Sequence, residues 1–123
     1  MNKWQRDVEE FHRKFGLTVG ETKRMRDAQL RCQLIREEAD ETCDALLDGS
    51  MTDTVDGLCD LIYVCLGTAV AFGIDLDEFW DAVHASNMAK EGGATRADGK
   101  LLKPEGWQPP DIAGILERMG VKR

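Results

Sequence analysis

Residues 34–60 read LIREEADETCDALLDGSMTDTVDGLCD and set two clusters of carboxylates on two successive helical segments. The clusters are Glu37, Glu38 and Glu41, followed by Asp53, Asp56 and Asp60. An α-helix turns by about 100° per residue, so the acids of each cluster lie on a common helix face. Like charges this close repel, so facing acids must be solvated, protonated or bridged by cations. Hard divalent cations prefer oxygen ligands, and Mg²⁺ often binds phosphate groups as well.

The composition is that of a globular protein with an acidic surface. The chain has 123 residues, 42% of them hydrophobic and 32% charged, which is enough for one domain with a modest core. A net charge of −7 argues against a general surface for nucleic acid or an anionic membrane. A phosphate-bearing ligand would therefore need metal ions or a local basic patch. The first residues, MNKWQRD, lack the apolar region of a signal peptide, so we expect a cytoplasmic protein.

The cysteines occur without any CxxC pair, at helical and mostly apolar positions. They are Cys32, Cys43, Cys59 and Cys65. Because cytoplasmic proteins keep their thiols reduced, we expect four free thiols in the core.

Hydrophobic spacing predicts helix along nearly the whole chain. The expected helices cover residues 2–15, 21–47, a third segment with Thr52 or Asp53 as N-cap, 76–90 and 111–119. We predict an all-α fold, an antiparallel bundle of about four main helices plus a short C-terminal helix, in a single domain over residues 1–123. Residues 91–110 are expected to form an irregular arm, in which Asp98-Gly99 indicates a small hairpin.

The third helix contains a run without formal charge over residues 61–74. This run is too short to span a bilayer, so we expect no membrane partner. It is apolar on nearly every side, which predicts burial on several sides. Since one small domain offers little shelter for such a helix, we expect a homodimer or a homotetramer.

On the second helix Leu30 and Leu34 lie on the stripe that Glu37 and Glu41 occupy further along. Surface helices usually keep their acids opposite the core residues. We therefore expect an inward-facing stripe that changes from apolar to acidic within two turns.

Four ordered blocks of the sequence resemble one protein family. They are REEADE at 36–41, DGLCDLIYVCLGTAVAFGID at 56–75, VHASNMAK at 83–90 and ADGKLLKPEGWQPPDI at 97–112. In order and spacing they resemble the MazG-like all-α nucleoside triphosphate pyrophosphohydrolases, a superfamily that includes dimeric dUTPases and phosphoribosyl-ATP pyrophosphatases. The resemblance implies Mg²⁺-dependent cleavage of a (deoxy)nucleoside triphosphate between its α- and β-phosphates, with Mn²⁺ as a possible substitute metal.

The chain departs from the family's metal-binding pattern at one position. The family has two acid pairs, ExxE and ExxD; here Glu38, Glu41 and Asp60 match, but Gly57 stands where the second pair begins. Asp56 lies four residues before Asp60, on the same helix face, and is the obvious substitute. We therefore predict Glu38, Glu41, Asp56 and Asp60 as the metal ligands.

Attack by water on an α-phosphorus needs a nucleophile, charge neutralisation and in-line positioning, and metal ions supply all three. We predict Glu37 and Glu38 as the catalytic residues. Glu38 acts as a metal ligand, and Glu37 acts as a general base on the attacking water or as a ligand of a second metal.

The HxSNxxK block is the first predicted contact with substrate. Asn87 and Lys90 share a helix face, and in the family this block lies by the nucleotide. Lys90 would neutralise a phosphate, while Asn87 would contact sugar, phosphate or base. The alternative is that Lys90 complements the negative end of its helix.

Further substrate contacts are expected from the arm and from one arginine. Lys100 and Lys103 add positive charge near the site, and Trp107 either stacks on a base or anchors the arm. Arg31 precedes the acids; it pairs with them or with a phosphate, or is solvated at the surface.

Two alternatives of other classes stay open. A ferritin-like di-iron carboxylate protein uses Glu-x-x-His pairs, and the chain offers Glu9-x-x-His12 and the weaker Asp81-x-x-His84, although not in the required order. A catalytically impaired bundle that binds nucleotide or metal is the other alternative, and Gly57 favours it. The sequence does not specify which base and sugar of the nucleotide are preferred.

Overall fold

The structure is a computed structural model that describes residues 1–20 and 27–121. These residues form α1 (Lys3–Lys14), α2 (Ala28–Asp48), α3 (Met51–Phe72), α4 (Asp77–Met88) and α5 (Ile112–Arg118). No extended strand occurs among them, so the predicted all-α class is confirmed. The part of the second predicted helix that covers 21–26 lies outside the described residues.

The helices group into two compact units, Met1–Asp75 and Leu76–Arg123. In the first unit α3 packs against both α2 and α1. The second unit holds α4, the arm and α5, and α5 packs against α4. The prediction of a single domain over 1–123 stays a prediction.

A two-residue connection joins α2 to α3 and makes them antiparallel neighbours. Gly49 ends α2 in the left-handed conformation, at φ 76°, which glycine adopts at little cost. Ser50 then caps α3, because its hydroxyl accepts the backbone N–H of Asp53 at 3.2 Å. The predicted N-cap, Thr52 or Asp53, is thus wrong by two or three residues, and both lie in the first turn.

The inward stripe of α2 is polar and differs from the predicted one. Arg31, Thr42 and Ala45 are buried and Glu38 is half-buried, and these four lie within about 60° around the helix axis. Leu30 is 51% exposed. The predicted inward stripe through Leu30, Leu34, Glu37 and Glu41 is therefore wrong by about a quarter-turn. Leu34 is half-buried, but Glu37 and Glu41 are exposed beside the inward stripe.

α3 is more exposed than the sequence suggested, and the whole helix is longer than its uncharged run. It is long and apolar enough to cross a membrane by length and composition alone, with a mean hydropathy of 1.7 in its most apolar window. The length argument against a membrane span therefore does not hold for the whole helix. One such helix is weak evidence for a span, because core helices of globular proteins have the same length and composition.

Burial around α3 and at the cysteines is lower than expected. Leu66 and Val70 are buried, but Val55, Leu58 and Ile62 are exposed, so this chain covers only part of the helix. The four cysteines are free, as expected, but all are exposed, so their predicted core positions are wrong.

The second unit contains a minimal form of the predicted hairpin. A single antiparallel bridge joins Thr95 to Leu101, and the Arg96 N–H donates to the Lys100 carbonyl at 2.7 Å. Gly99 turns the chain at φ 93°. α4 ends at Met88, two residues before the predicted end.

Candidate active site

Glu38 is at the centre of the acid cluster in the first unit. Its Oε2 is buried and is the only buried side-chain nitrogen or oxygen without a hydrogen-bond partner in residues 1–20 and 27–121. Burial raises the pKa of Glu38, and the neighbouring Glu41 and Asp60, then Glu37 and Asp56, raise this pKa further. Acids from both α2 and α3 thus act on one carboxyl group.

The other predicted acids lie around Glu38, but their side chains do not converge with it on one point. Glu41, Asp56 and Asp60 are exposed. Glu37 is also exposed, and its Oε1 accepts a hydrogen bond from Gln33 Nε2 at 2.8 Å. In the part of the chain that the structure describes, no three His, Cys, Asp or Glu side chains converge closely enough to hold a metal ion.

A close approach of α3 to α2 lies beside Glu38. A Cβ on Gly57 would lie 2.6 Å from Thr42 Oγ1 and 3.1 Å from Thr42 Cα. The same Thr42 hydroxyl donates to the Glu38 carbonyl at 2.6 Å. Position 57 is buried in the helix contact, so a glutamate there would collide with α2.

The donor set suits Mg²⁺ by its chemistry. Mg²⁺ takes carboxylate oxygens and retains several waters, and it does not require an all-protein cage. Glu38 supplies a buried oxygen that nothing in the described chain satisfies. Coordination would require exposed carboxylates to rotate toward it, at a cost of roughly 1–2 kcal/mol of side-chain entropy each.

Arg31 has a different environment from the predicted one. Only 8% of this residue is exposed, so the expected surface solvation is wrong. Its guanidinium donates to Val64 O at 2.8 Å and to Thr68 Oγ1 at 3.1 Å, both on α3. Burial lowers the pKa of Arg31, and the charge of Asp27 opposes that shift. Its predicted substrate contact stays a prediction, but the contacts observed hold α2 to α3.

Three predicted substrate residues meet at one aromatic ring in the second unit. Trp107 is half-buried, and its Nε1 donates to Ser86 O at 2.7 Å, which anchors the arm to α4. Lys90 Nζ lies 5.5 Å and Lys103 Nζ 4.9 Å from the centre of its ring. Lys90 follows the end of α4, so it does not share a helix face with Asn87.

The other predicted contacts of this unit are solvent-facing. Asn87, Lys100 and His84 are all exposed. They are available to a ligand, and their predicted roles are otherwise untested.

Thr42 and Ser86 are supporting residues that were not among the predicted site residues. Thr42 stands four residues after Glu38, the spacing at which a threonine hydroxyl reaches the preceding turn's carbonyl. That spacing was a usable signal. The contact of Ser86 with Trp107 joins residues 21 apart in the chain, and no local pattern predicts it.

The first of the two pairs that suggested a di-iron protein has other partners in the structure. Glu9 Oε1 accepts a hydrogen bond from Arg13 Nη2 at 3.1 Å. His12 is buried, with its Nδ1 2.8 Å from Thr18 O. Since neither side chain is directed at a shared site, the structure disfavours this alternative.

Comparisons with known proteins agree with the acid pattern. A sequence model of the phosphoribosyl-ATP pyrophosphohydrolase family matches residues 8–87, which include every predicted acid ligand. An uncharacterised protein of Acanthamoeba polyphaga mimivirus is 36% identical over 77 residues. That match covers 57% of this chain and 31% of the viral protein, so the chain spans about a third of that relative.

Proposed function

The chain belongs to the phosphoribosyl-ATP pyrophosphohydrolase family, within the MazG-like all-α superfamily of nucleotide pyrophosphohydrolases, and we propose that it hydrolyses (deoxy)nucleoside triphosphates. The proposed cut lies between the α- and β-phosphates, so that the products are a nucleoside monophosphate and pyrophosphate. The proposed cofactor is Mg²⁺, which Mn²⁺ can replace.

The observation that carries this proposal is the unpartnered carboxyl oxygen of Glu38 among four other acids. A buried polar atom without a partner costs roughly 1–3 kcal/mol in folding, so a protein seldom retains one without a use. A bound divalent cation would satisfy Oε2 of Glu38 and relieve the repulsion that raises the pKa of its carboxyl. The acid cluster is therefore best explained as a metal site.

Each acid has a proposed role. Glu38, Glu41, Asp56 and Asp60 would hold the metal, which when bound screens the phosphate oxygens and lowers the pKa of coordinated water. Glu37 is exposed beside Glu38 and would accept the proton of the attacking water. The Glu37 carboxylate now accepts a hydrogen bond from the Gln33 amide, and this bond must break before Glu37 takes that role.

Asp56 takes the ligand position that the family gives to the next residue. Gly57 faces Thr42 at too short a distance for any side chain, which leaves Asp56 as the free acid in that turn of α3. A catalytically impaired binding protein is the second candidate, because aspartate reaches less far than glutamate and Gly57 supplies no ligand.

The residues proposed to bind the triphosphate are Asn87, Lys90, Lys100 and Lys103, with Trp107 beside the two lysines that contact its ring. Lysine ammonium groups neutralise phosphate oxygens, and an exposed amide can donate or accept. We do not include Arg31 in this set, because its guanidinium is bonded to α3.

The protein is proposed to act as a cytoplasmic homodimer or homotetramer, without nucleic acid or membrane as partners. The exposed side chains of Val55, Leu58, Ile62 and Tyr63 on α3 support a subunit contact, since large exposed apolar patches are rare in monomers. Oligomer formation would also cover a helix that a single chain leaves mostly exposed.

Pyrophosphate release from a panel of nucleotides tests the proposal. The panel should contain common and damaged ribo- and deoxyribonucleoside triphosphates, each assayed with Mg²⁺, with Mn²⁺ and in EDTA. We expect equal amounts of monophosphate and pyrophosphate, only with metal. Release of single phosphates, or equal rates in EDTA, would contradict the proposed cut.

Substitution of Asp56 separates the enzyme from the impaired binding protein. Asp56→Asn should lower the rate by at least 10–100-fold, because even residues that only support a metal ligand have effects of that size. Asp53→Asn is the matched control, since Asp53 lies one turn earlier in the capped first turn of α3. Wild-type rates for Asp56→Asn would remove it from the ligand set, and metal binding without any turnover would favour the second candidate.

A further inference from the structure

The second unit has a pair of positive charges with no acidic partner among the residues that the structure describes. Lys90 Nζ and Lys103 Nζ lie 5.5 Å and 4.9 Å from the centre of the Trp107 indole. Both distances fall within the roughly 6 Å at which an aromatic face attracts a cation. Because both ammonium groups lie over one ring, they are no more than about 10 Å apart, within roughly one Debye length at physiological salt.

Neither lysine is neutralised by a carboxylate in the described part of the chain. The two arginines that the structure describes in this unit are paired, Arg96 with Asp98 and Arg118 with Glu78, each at 2.6 Å. Lys90 and Lys103 form no ion pair with residues 1–20 or 27–121. In a chain with a net charge of −7, two adjacent cations without an acid partner are available for an anionic ligand.

The indole is held so that it joins two separate segments. Its Nε1 donates to Ser86 O in the last part of α4, and the ring is half-buried. Lys90 comes from the turn that follows α4, and Lys103 comes from the arm. The ring therefore brings together lysines that are 13 residues apart in sequence.

We propose that Trp107 is a positioning residue that holds Lys90 and Lys103 as a pair for a polyphosphate anion. Two ammonium groups gain more from one multiply charged ligand than from water, because charge-assisted hydrogen bonds to phosphate are strong. Each ammonium group over the ring occupies space that a stacked nucleobase would need. The identification of this anion as the phosphate chain of a nucleoside triphosphate rests on the proposed function.

Binding of inorganic tripolyphosphate in EDTA tests the pair apart from the acid cluster. Without divalent metal the carboxylates repel this anion, so binding depends on the lysines. By calorimetry at low salt we expect saturable binding to the wild-type protein. Lys90→Met and Lys103→Met should each weaken it by about tenfold or more. Wild-type affinity in both variants, or no binding to the wild type, would overturn the proposal.

A matched lysine provides the control. Lys14 Nζ also lies 5.5 Å from the centre of an aromatic ring, that of Phe15, but no second lysine of residues 1–20 and 27–121 shares this ring. Lys14→Met should bind tripolyphosphate as tightly as the wild type. An equal loss in Lys14→Met would mean that general positive charge, and not the pair, attracts the anion, and would overturn the proposal.

Two substitutions of Trp107 separate positioning of the lysines from anchoring of the arm. Trp107→Phe keeps an aromatic face and loses the hydrogen bond to Ser86, whereas Trp107→Leu loses both. We expect Trp107→Phe to retain most of the affinity and Trp107→Leu to lose roughly fivefold. Equal losses in the two variants, with unchanged helical content, would make Trp107 an anchor only.

Fluorescence gives a measurement in which Trp107 itself is unchanged. The chain has three tryptophans, so Trp4→Phe combined with Trp80→Phe leaves Trp107 as the only indole. Tripolyphosphate in EDTA should change its emission, while a mixture of the common nucleosides should not. The reverse result would mean that the ring stacks on a base and would overturn the proposal. Tripolyphosphate binding without any pyrophosphate release from nucleotides would contradict the proposed function and support this inference.

Discussion

Two charged residues lie on the same inward stripe of α2, two turns apart, and their environments differ. Arg31 is buried and donates to Val64 O and Thr68 Oγ1 of α3. Glu38 has a buried oxygen with no partner in the described residues, and four acids surround it. Folding alone favours buried polar groups that have hydrogen-bond partners. The Arg31 end of the stripe therefore stabilises the fold, whereas the Glu38 end is suited to a ligand.

A glycine of α3 permits close approach at both ends. A Cβ on Gly67 would meet the Arg31 guanidinium at 2.5 Å, and one on Gly57 would meet Thr42 Oγ1 at 2.6 Å. Both glycines thus leave room for a side chain of α2, whereas the hydrogen bonding of the neighbouring charged group differs between the two ends. The close packing of the two helices therefore does not distinguish a structural contact from a candidate site. A buried polar atom without a hydrogen-bond partner in the described residues does distinguish them.

The largest expected effect is the loss of activity in Glu38→Gln. The amide keeps the size of the side chain but lacks the charge that holds the metal, so turnover should fall by more than about 100-fold. The helical circular dichroism spectrum should be unchanged. Pyrophosphate release near the wild-type rate would remove Glu38 from the site and end the contrast with Arg31.

The converse effect is expected at Arg31. Arg31→Met keeps an unbranched chain but removes the two hydrogen bonds that the guanidinium donates to Val64 O and Thr68 Oγ1, which should lower the free energy of unfolding by about 1–3 kcal/mol. Urea unfolding measures this change, and the KM of the folded fraction should remain as in the wild type. A large rise in KM with unchanged stability would instead support the substrate contact that the sequence suggested.

Gly57→Ala should disturb both sides of the comparison moderately. The added methyl group would overlap Thr42, and overpacking of this kind costs about 1–3 kcal/mol. Thr42→Ala in the same chain removes the nearest atom, Oγ1, and should restore part of the stability. If Gly57→Ala is as stable as the wild type, the two helices do not pack this closely in solution.

The smallest effect is a pH dependence of the metal-free protein. The pKa of Glu38 is raised in the folded state, first by burial, above the value of about 4.3 expected in the unfolded chain. The proton therefore stabilises the fold below about pH 4.3, and this contribution is lost as the pH rises through the folded-state pKa. In EDTA, the free energy of unfolding of the wild type should fall relative to that of Glu38→Gln as the pH rises from about 4.3 through the folded-state pKa of Glu38. A difference in unfolding free energy between the two proteins that does not change with pH would contradict the raised pKa of Glu38.

Local patterns in the sequence were sufficient to predict the helices and to place the two clusters of acids on α2 and α3. Gly49 and Ser50 mark the turn between α2 and α3, and the spacing of the carboxylates put them on adjacent faces of these two helices. The family pattern then singled out the same residues. These features depend on neighbours within a few positions, so the sequence contains them directly.

Burial and long-range partners were the parts that the sequence did not reveal. The stripe through Leu30 looked inward because it is apolar, but α3 packs on the polar stripe of Arg31 instead. The contact of Thr42 with Gly57 depends on the register between two helices, which no helical period specifies. The cysteines have the hydropathy of core residues yet are exposed in the chain.

Binding of Mn²⁺ to the wild-type protein and to Glu38→Gln, followed by electron paramagnetic resonance, tests the central claim most directly. That claim is that the unpartnered Glu38 carboxyl belongs to a site for a divalent cation. We predict saturable binding to the wild type that Mg²⁺ displaces, and a loss of affinity of at least about 10–100-fold in Glu38→Gln. Equal affinities in the two proteins, or no binding to the wild type with nucleotide present, would contradict it.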